Sequence, residues 1–544
     1  MSKGSEKNVE YSVVISGGRV VDGTGNPWFY ADLGIRNDRI AAIAAPGALK
    51  LARARERIDA HGLIVAPGFI DIQSHSGPSF LGAGDGRVIN KITQGITTEI
   101  LGEDWTEAPA NAAAVETARA VGRPITSNFF GRHGFRSWLE AMQSHGMSVN
   151  VGSFVGFANL RSCVKGLSTG PLTSTELEAV RSLLREAMED GAFGVAPALS
   201  FPPSSFASSS ELVEIVRAAA PYGGIFAVHL RSEDDDLLAS IDEVLKIGRE
   251  ARIPVEIYHF KAVGRRNWAK EAAAIKKIDD ARREGVDVGA MMYPYEARNG
   301  KLADCLPPKM ASANLVSPLH TADAPGMVRL ESPSAVAHNP CVLVTPEGVM
   351  LRNLRSPGNA RFAGKTLSEF AAAKGKDWSD AAADLIDSEP EAVNVFFFVA
   401  SEPLLVLQMQ QPWIEFGTDF GSEDPENPRE PYHPRAFGTY PRVLGKYLRD
   451  ENAISLEDAV RKMTGAVART LSIQDRGSLR KGNYADIVIF DPRCVEDRAT
   501  YGMPNQLSVG IRYVYVNGAK VVSGGKPTGV MAGRALYGPG VLTE

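Results

Sequence analysis

Two apolar runs that each carry a histidine near their carboxyl end constrain this chain more than any other feature. The run IFAVHL contains His229, a helix-like stretch follows, and the run VEIYHF contains His259. This spacing is that of one strand-helix-strand unit, which places two strands side by side and parallel, with both imidazoles at the same carboxyl edge. Parallel α/β folds carry their chemistry at that edge. The sequence therefore predicts that the two histidines lie close together.

Either histidine alone is well explained as a structural residue that is hydrogen-bonded to a neighbouring loop. Two neutral imidazoles on adjacent strand ends can instead bind one transition-metal ion, and zinc is the usual occupant when the remaining ligands are carboxylate or water. We therefore predict that His229 and His259 are metal ligands, with Zn²⁺ as the cofactor.

Eight apolar runs separated by helical stretches indicate the architecture around these histidines. This alternation is typical of a parallel α/β fold, and eight strands predict a closed TIM-like (β/α)8 barrel. The runs span residues 63–72, 97–101, 149–157, 192–199, 225–230, 255–260, 286–295 and 413–420. The interval of about 296–393 is too long for a simple connection. It predicts an insertion after strand seven that shapes the pocket and is helical in KTLSEFAAAKGKDWSDAAADLI.

Both ends of the chain contain short β-rich runs with Gly, Asp and Asn between them, which is the pattern of antiparallel strands. We expect the two ends to meet in one composite β-sandwich. The predicted parts are residues 8–62 and 476–540, which form the sandwich, and residues 63–475, which form the barrel with its insertion.

Charge and hydropathy exclude several classes of function. The net charge is −5, and the 59 Lys and Arg residues are dispersed, so a nucleic-acid partner is not expected. The N-terminus MSKGSEKNVEYS lacks the apolar core of a signal peptide, and no run is long enough to cross a membrane. The four cysteines, Cys163, Cys305, Cys341 and Cys494, show no paired spacing, which predicts a reduced, cytoplasmic protein.

Further polar residues follow the first, second and eighth predicted strands, in Asp71-Ile72-Gln73-Ser74-His75, Glu103-Asp104 and Asp419. In a barrel all of them surround the opening that the two histidines share. A metal ion with an open position lowers the pKa of its water towards about 7, and a nearby carboxylate can take the proton as that water attacks a carbonyl. We predict Asp419 as this general base, although an isolated Asp after a strand is commonly a turn or cap residue.

Two features carry weaker signals. We interpret the acidic run Glu233-Asp234-Asp235-Asp236 as the solvent-exposed first turn of a helix, where acidic residues favour the helix dipole. His433 lies in the loop YHPRAFGTYPR just beyond Asp419, and the sequence leaves a structural role and a functional role open for it.

Several motifs follow one another along most of the chain. They include VAPGFIDIQSHS, TQGITTEILG, AFGVAPALSFPPSSFASSSEL, FAVHLRSE, VEIYHFKAVG, MMYPYEA, FGTDFG and HPRAFGTYPRVLGKYLRDENAISLEDAVRKMTGAVARTLSIQDRGSLRKGNYADIVIFDP. As a set they resemble the amidohydrolase superfamily, and within it the D-aminoacylase (N-acyl-D-amino-acid deacylase) group. The match is weakest over residues 305–360, and it is more specific for the fold than for the substrate.

The resemblance implies a metal-dependent barrel enzyme that hydrolyses the amide between an acyl group and a D-amino acid. It gives the two histidines and Asp419 the roles stated above. It also implies that Lys261, Tyr293 or Tyr295, and Arg435 hold the carboxylate and carbonyl of the substrate. Such a set is physically sensible, because an anionic amino acid needs a cation and donors at a fixed distance from the metal.

Two positions depart from the family pattern. The opening His-x-His is here Gln73-Ser74-His75, and Glu103-Asp104 stands where these enzymes carry a metal-binding cysteine after the second strand. We expect Glu103 to be a ligand, with Asp104 as the alternative, and His75 to be a weak or outer ligand. The missing histidine weakens the more exposed of the superfamily's two metal positions. We therefore predict one tightly bound zinc ion, with a weak second site as the alternative.

The fourth predicted strand, AFGVAPAL, has no lysine, so the carboxylated lysine of hydantoinase-like relatives is unavailable and a cyclic-amide hydrolase is disfavoured. Two alternatives stay open. One is the same mechanism acting on a peptide-like, xenobiotic or toxin amide, and the other is a catalytically silent relative that binds a ligand in the same pocket. The expected partner is a small-molecule amide, and the sequence leaves open whether the chain forms a homo-oligomer.

Overall fold

The computed structural model of the protein describes residues 10–123, 125–126, 128–306, 339–424 and 432–542. Residues 307–338 of the predicted insertion and residues 8–9 of the predicted N-terminal part lie outside these ranges. Within the described ranges, no helix has the length and apolar character that crossing a membrane requires.

The strands are numbered in chain order. The first five are β1 Glu10–Val20, β2 Phe29–Arg36, β3 Arg39–Ala44, β4 Arg53–Asp59 and β5 Ile64–Pro67. The next eight are β6 Phe69–Asp71, β7 Ile96–Leu101, β8 Asn150–Ser153, β9 Val155–Gly156, β10 Gly194–Ala196, β11 Ile225–Val228, β12 Val255–Ile257 and β13 Val288–Met292. The last eight are β14 Ala297–Lys301, β15 Val349–Leu351, β16 Asn394–Phe398, β17 Ile414–Phe416, β18 Ile487–Phe490, β19 Ile511–Val516, β20 Ala519–Ser523 and β21 Lys526–Pro527.

Helices connect these strands. The α-helices are Ile89–Ile92, Ala112–Ala120, Gly134–His145, Phe157–Lys165, Ser174–Glu189, Ser209–Val216, Leu237–Ala251, Glu271–Arg283, Pro340–Val344, Leu367–Lys374, Trp378–Ser388, Glu402–Met409, Arg435–Arg442, Leu456–Met463 and Gly465–Thr470. The 3₁₀ helices are Gly77–Phe80, Ser204–Phe206, Ala220–Tyr222, Arg265–Lys270, Leu302–Cys305, Pro346–Gly348 and Ala360–Phe362, and a π-helix spans Val443–Asp450.

The barrel consists of β6 to β13 and β17, all parallel to their neighbours. β6, β7 and β8 pair in that order, and β9 to β13 continue to β17. β8 and β9 act as one strand interrupted at Phe154, whose N–H donates to the carbonyl of Leu101 at 2.9 Å. The ring closes where the N–H of Asp419 donates to the carbonyl of Gln73 at 3.0 Å. The prediction of a closed parallel α/β barrel is confirmed.

Strand alternation separates two faces of the barrel wall. In β12, Val255 and Ile257 pack with the large core under the helices, and Tyr258 just beyond it packs inside the barrel with Phe154 and Met291. Alternation therefore places Glu256, which lies between Val255 and Ile257, on the inner face of the barrel.

Two buried carboxyl groups lie on this inner face, Glu256 on β12 and Glu415 on β17. Both oxygens of Glu256 and Oε2 of Glu415 have no hydrogen-bond partner among the described residues. Burial, with repulsion from Glu415, raises the pKa of Glu256 well above its usual range, and burial raises the pKa of Glu415 to about 7. The barrel interior therefore favours the neutral acid at Glu256.

We expect Glu256→Gln to stabilise the folded chain, and to do so more strongly at higher pH. Because the folded-state pKa of Glu256 is raised, its protonated form contributes stability below the ordinary value of 4.5, and this contribution is lost as the pH rises towards the folded value. Glutamine has no such proton to lose. The advantage of the variant should therefore grow between about pH 5 and about pH 8, by on the order of 1–3 kcal/mol.

Thermal melts of both proteins at the two pH values measure this effect. Glu250→Gln is the matched control, because the side chain of Glu250 is exposed and its ion pair with Lys246 is long at 3.8 Å and therefore weak. A stabilisation by Glu256→Gln that is the same at both pH values would contradict the prediction.

The two chain ends share one sheet. Its strand order is β21-β20-β19-β18-β5-β1-β2-β3, with β4 paired to β1. The joint is the antiparallel pair of β5 and β18, in which Val65 lies opposite Ile489. The ends therefore meet as expected, whereas the description of this part as a sandwich and the domain bounds stay predictions.

The insertion contains a small antiparallel sheet in the order β14-β16-β15. Its middle strand β16 begins at Asn394, just beyond the expected end of the insertion at residue 393. Helices Leu367–Lys374 and Trp378–Ser388 confirm its helical part. Cys305 and Cys341 form a disulfide, so the expectation of unpaired cysteines was wrong for them. Their separation of 36 residues matches no local motif, and only the fold of the insertion brings them together. The cytoplasmic setting stays a prediction.

Candidate metal centre and catalytic site

The two histidines of the sequence pattern meet at the carboxyl end of the barrel. His229 directly follows β11, and His259 lies two residues beyond β12. Nδ1 of His229 and Nε2 of His259 are 2.9 Å apart. His259 has a left-handed backbone with φ of 33°, a conformation that costs a non-glycine residue about 1–3 kcal/mol and is concentrated at functional sites.

Glu103 completes the group around these imidazoles. Its Oε1 lies 3.2 Å from Nδ1 of His229 and 3.8 Å from Nε2 of His259. One ligand atom from each of the three residues lies within 4.8 Å of the others. Two imidazoles and one carboxylate, with water as a fourth ligand, are a donor set that zinc prefers, so the residues fit this ion.

The alternative ligand Asp104 belongs to a different set of contacts. Its Oδ1 accepts hydrogen bonds from the N–H of Ala198 at 3.0 Å and from the hydroxyl of Ser204. Asp104 is in neither ligand group that the described residues form. The side chain therefore fixes the loop that follows β10 instead of facing the histidines.

A second ligand group shares Glu103. Nε2 of His75 lies 3.4 Å from Oε2 of Glu103 and 3.1 Å from Oδ1 of Asp419. The side chain of His75 is 42% exposed, whereas that of Glu103 is 11% exposed. The second group is therefore the more open one, and it places Asp419 beside the first.

Gln73 lies against this second group. Its Nε2 donates to Oε2 of Glu103 at 2.5 Å. Its Oε1 is buried without a hydrogen-bond partner among the described residues. The amide nitrogen thus contacts the Glu103 oxygen that a second cation would require.

Local charges keep both carboxylates of the site ionised. Burial opposes the ionisation of Glu103, but hydrogen bonds with three imidazoles hold its pKa well below the usual range. Burial also opposes the ionisation of Asp419, and its pKa is nevertheless lowered by Arg435, whose guanidinium lies 2.8 Å from Oδ2. Glu103 can therefore bind a cation, and Asp419 can accept a proton.

The contacts that lower the pKa of the carboxylates raise the pKa of the imidazoles. Burial lowers the pKa of His75 and His259, yet neighbouring carboxylates raise both values to about 9. A metal ligand must be a neutral imidazole, so a metal ion bound at His259 would displace this proton, and its affinity would fall as the pH falls.

A buried network beneath the site holds the strand end that carries Asp419. Nζ of Lys91 donates to Oδ2 of Asp71 at 2.8 Å and to the hydroxyl of Thr418 at 2.7 Å. Oδ1 of Asp71 accepts the N–H of Thr418 at 2.9 Å. Asp71 therefore supports the opening from below instead of lining it. Lys91 was missed, although a lysine within the apolar segment VINKI could have indicated a buried partner.

The acidic run after His229 requires a correction. Its helix begins at Leu237, so Glu233 precedes the helix. Oε1 of Glu233 accepts hydrogen bonds from Nδ1 of His259 at 2.8 Å and from Nζ of Lys261 at 2.7 Å. The interpretation of the run as an exposed first turn was wrong, because all four acids precede the helix and Asp234 is buried as well. Its place four residues after a strand-ending histidine was the one available signal.

Three of the residues expected to bind the substrate lie together. The guanidinium of Arg435 lies 4.4 Å from the ring centre of Tyr293, and Nζ of Lys261 lies 5.6 Å from the same ring. Tyr295 lies apart, because its hydroxyl donates to Asp497 at 3.2 Å. Of the two tyrosines, the structure therefore brings Tyr293 to the group.

His433 has structural contacts at both ring nitrogens. Its Nε2 donates to the carbonyl of Ala297 at 3.0 Å, and its Nδ1 accepts the N–H of Arg435 at 3.0 Å. Burial, with the nearby guanidinium of Arg435, holds the pKa of His433 well below its usual range. The neutral ring fixes the backbone of Arg435.

Comparisons with known proteins agree with this geometry. The Amidohydrolase family pattern matches residues 413–522. The D-aminoacylase of Alcaligenes xylosoxydans xylosoxydans is 34% identical over 528 residues, which are 97% of this chain and 97% of that protein. The N-acyl-D-glutamate deacylase of the same organism is 33% identical over 95% of this chain and 94% of its own length.

Solved structures give the same grouping. The N-acyl-D-glutamate deacylase from Bordetella bronchiseptica, in complex with zinc and a phosphonate mimic of its tetrahedral intermediate, superposes with a TM-score of 0.77 at 32% identity, over 97% of this chain and 100% of that one. An L-hydantoinase from Arthrobacter aurescens, at 16% identity over 97% of this chain and 100% of that one, has a TM-score of 0.56 and shares the fold alone. The chain therefore belongs to the D-aminoacylase group of the amidohydrolase superfamily.

Proposed function

We propose that this chain hydrolyses the amide of an N-acyl-D-amino acid to a carboxylic acid and a free D-amino acid. The observation that carries this proposal is the group of Glu103, His229 and His259 with ionised Asp419 beside it. Relatives named D-aminoacylase and N-acyl-D-glutamate deacylase cover nearly the whole chain at about one third identity, which supports the same substrate class.

Glu103, His229 and His259 are the residues that would hold the zinc ion. A zinc ion bound there supplies an activated water and polarises the amide carbonyl. Asp419 accepts the proton of the attacking water, and it can return that proton to the departing nitrogen. His75 donates to Asp419 from 3.1 Å and orients its carboxylate.

We assign the substrate carboxylate to Arg435, Tyr293 and Lys261. A guanidinium can bind a carboxylate through two parallel hydrogen bonds, and the phenol adds a donor beside it. Lys261 contributes a buried positive charge whose position Glu233 fixes at 2.7 Å. This set places an anionic amino acid at a defined distance from Asp419, which lies 2.8 Å from Arg435.

We further propose that the site holds one tightly bound ion. The second ligand group lacks the histidine that the family pattern has at Gln73. Because the Gln73 amide donates to Oε2 of Glu103, it satisfies this oxygen and competes with a second cation for it.

Gln73→His should create the second metal site. The variant restores an imidazole beside His75, Glu103 and Asp419, so its zinc content should rise from about one to about two ions per chain. Gln73→Leu is the control, because it removes the amide donor without adding a ligand and should stay near one. Elemental analysis measures both variants, and an unchanged content in Gln73→His would contradict the account of the second group.

The substrate class is tested by assaying release of free amino acid from N-acetyl-D-amino acids and their L enantiomers, with neutral and acidic side chains. We expect the zinc-loaded protein to prefer the D series by about 10²-fold or more in kcat/KM. Turnover of other amides with none of this series would reject the substrate class. Zinc binding without turnover of any amide would favour a silent ligand-binding relative.

A further inference from the structure

Glu233 is a mostly buried acid that contacts the candidate metal centre without being one of its ligands. Its side chain is 12% exposed, and those of His259 and Lys261 are 5% and 7% exposed. Glu233 is in neither ligand group. Its Oε1 nevertheless contacts one residue expected to bind the metal and one expected to bind the substrate. A single carboxylate oxygen thus connects the two halves of the site.

The proton on His259 decides whether this ring can be a ligand. Nε2 is the nitrogen that faces His229, so a metal bound there requires the lone pair on Nε2 and the proton on Nδ1. Glu233 lies 2.8 Å from Nδ1 and accepts that proton. A carboxylate in this position fixes the ring orientation and raises the basicity of the ligating nitrogen.

Lys261 would favour the opposite arrangement. Its Nζ also lies 2.8 Å from Nδ1 of His259, and an ammonium can only donate. A hydrogen bond from Lys261 to Nδ1 would put the proton of a neutral ring on Nε2 and remove the ligand. The ammonium has two other acceptors at 2.7 Å, Oε1 of Glu233 and the carbonyl of His259. Glu233 therefore decides between the two arrangements.

Charge leads to the same conclusion. A zinc ion held by His259 would add a second positive charge to the one that the Lys261 ammonium already places beside this buried imidazole. Removing the compensating carboxylate from such a group leaves an unpaired buried charge, which is strongly unfavourable.

We propose that Glu233 is the positioning residue of this site. It keeps His259 in the tautomer that binds the metal and holds the Lys261 ammonium away from Nδ1, so it couples metal affinity to recognition of the substrate carboxylate. The second half of this inference rests on the proposed function. The first half concerns metal binding alone.

The test compares Glu233→Gln with Asp235→Asn. Asp235 lies in the same acidic run, but its side chain is 35% exposed and pairs with Arg266 at 2.6 Å. Zinc affinity is measured by competition with a chelator, without any substrate. Glu233→Gln should weaken zinc binding by about 10- to 100-fold, and Asp235→Asn should leave it unchanged. Unchanged zinc affinity in folded Glu233→Gln would overturn the proposal.

Two further measurements keep the result interpretable. If Glu233→Gln does not fold, Glu233→Asp keeps the charge with a shorter reach, and the same comparison should give a smaller but measurable loss of zinc affinity. In the assay, Glu233→Gln loaded with excess zinc should raise KM for a free-acid substrate more than for its methyl ester. Equal effects on acid and ester would remove the coupling to substrate. If no tested amide is hydrolysed, the proposed function is rejected. The measured zinc affinities would still decide whether Glu233 positions His259 for metal binding.

Discussion

Asp419→Asn should lower kcat by about 10²- to 10⁴-fold while zinc content stays unchanged. Asparagine keeps the size of the side chain but cannot accept the proton of the attacking water. The tight ligand group of Glu103, His229 and His259 does not include Asp419, so its zinc ion should remain. Steady-state kinetics with elemental analysis of the same sample measure both quantities.

The outcome separates two roles of the carboxylate. A loss of turnover together with the zinc would show that Asp419 is mainly a ligand. Undiminished turnover with zinc retained would remove Asp419 from the role of general base. The left-handed backbone at Asp419, with φ of 48°, is kept by the asparagine, because Asn tolerates this region.

His229→Ala should abolish tight zinc binding and, with it, measurable turnover. Losing a hydrogen-bond partner of a ligand already costs about 10- to 100-fold in metal affinity, so losing the ligand itself should cost well above this range. Chelator competition measures the affinity, and turnover is measured with and without added zinc. His145→Ala is the control, because His145 is exposed, is in neither ligand group, and donates from Nε2 to the carbonyl of Gly84 at 2.7 Å. Wild-type zinc affinity in His229→Ala would exclude the ligand assignment.

The barrel and the pair of histidines could be predicted because the evidence for them is local. Apolar runs of strand length that alternate with helical stretches specify a parallel fold, and the end of a strand specifies where the next side chain points. The meeting of His229 with His259, and of both with Glu103, follows from that geometry and from the family resemblance.

The supporting residues were harder to predict, because their contacts depend on long-range packing. Glu233 belongs to a run of acids that reads as solvent-facing, and its partners lie 26 and 28 residues away. Lys91 reaches Thr418 across 327 residues of sequence, because the first and last strands of the barrel are neighbours. The pattern of residues within one segment cannot predict a contact with a residue so far away in the sequence.

The insertion shows the same limit on another scale. Its two helices were predictable from their apolar spacing, whereas its three-stranded sheet and the Cys305–Cys341 disulfide were not. β14 and β16 are short, and almost a hundred residues of sequence separate them, so their pairing has no local signature.

The central claim is a single zinc centre built on Glu103, His229 and His259. Elemental analysis of protein purified without added metal or chelator tests it most directly. We predict about one zinc ion per chain, since one set of three protein ligands, with the fourth position left for water, binds one ion. Two ions per chain would show that Gln73 does not block the second group. None, with zinc unable to bind when added, would contradict the account.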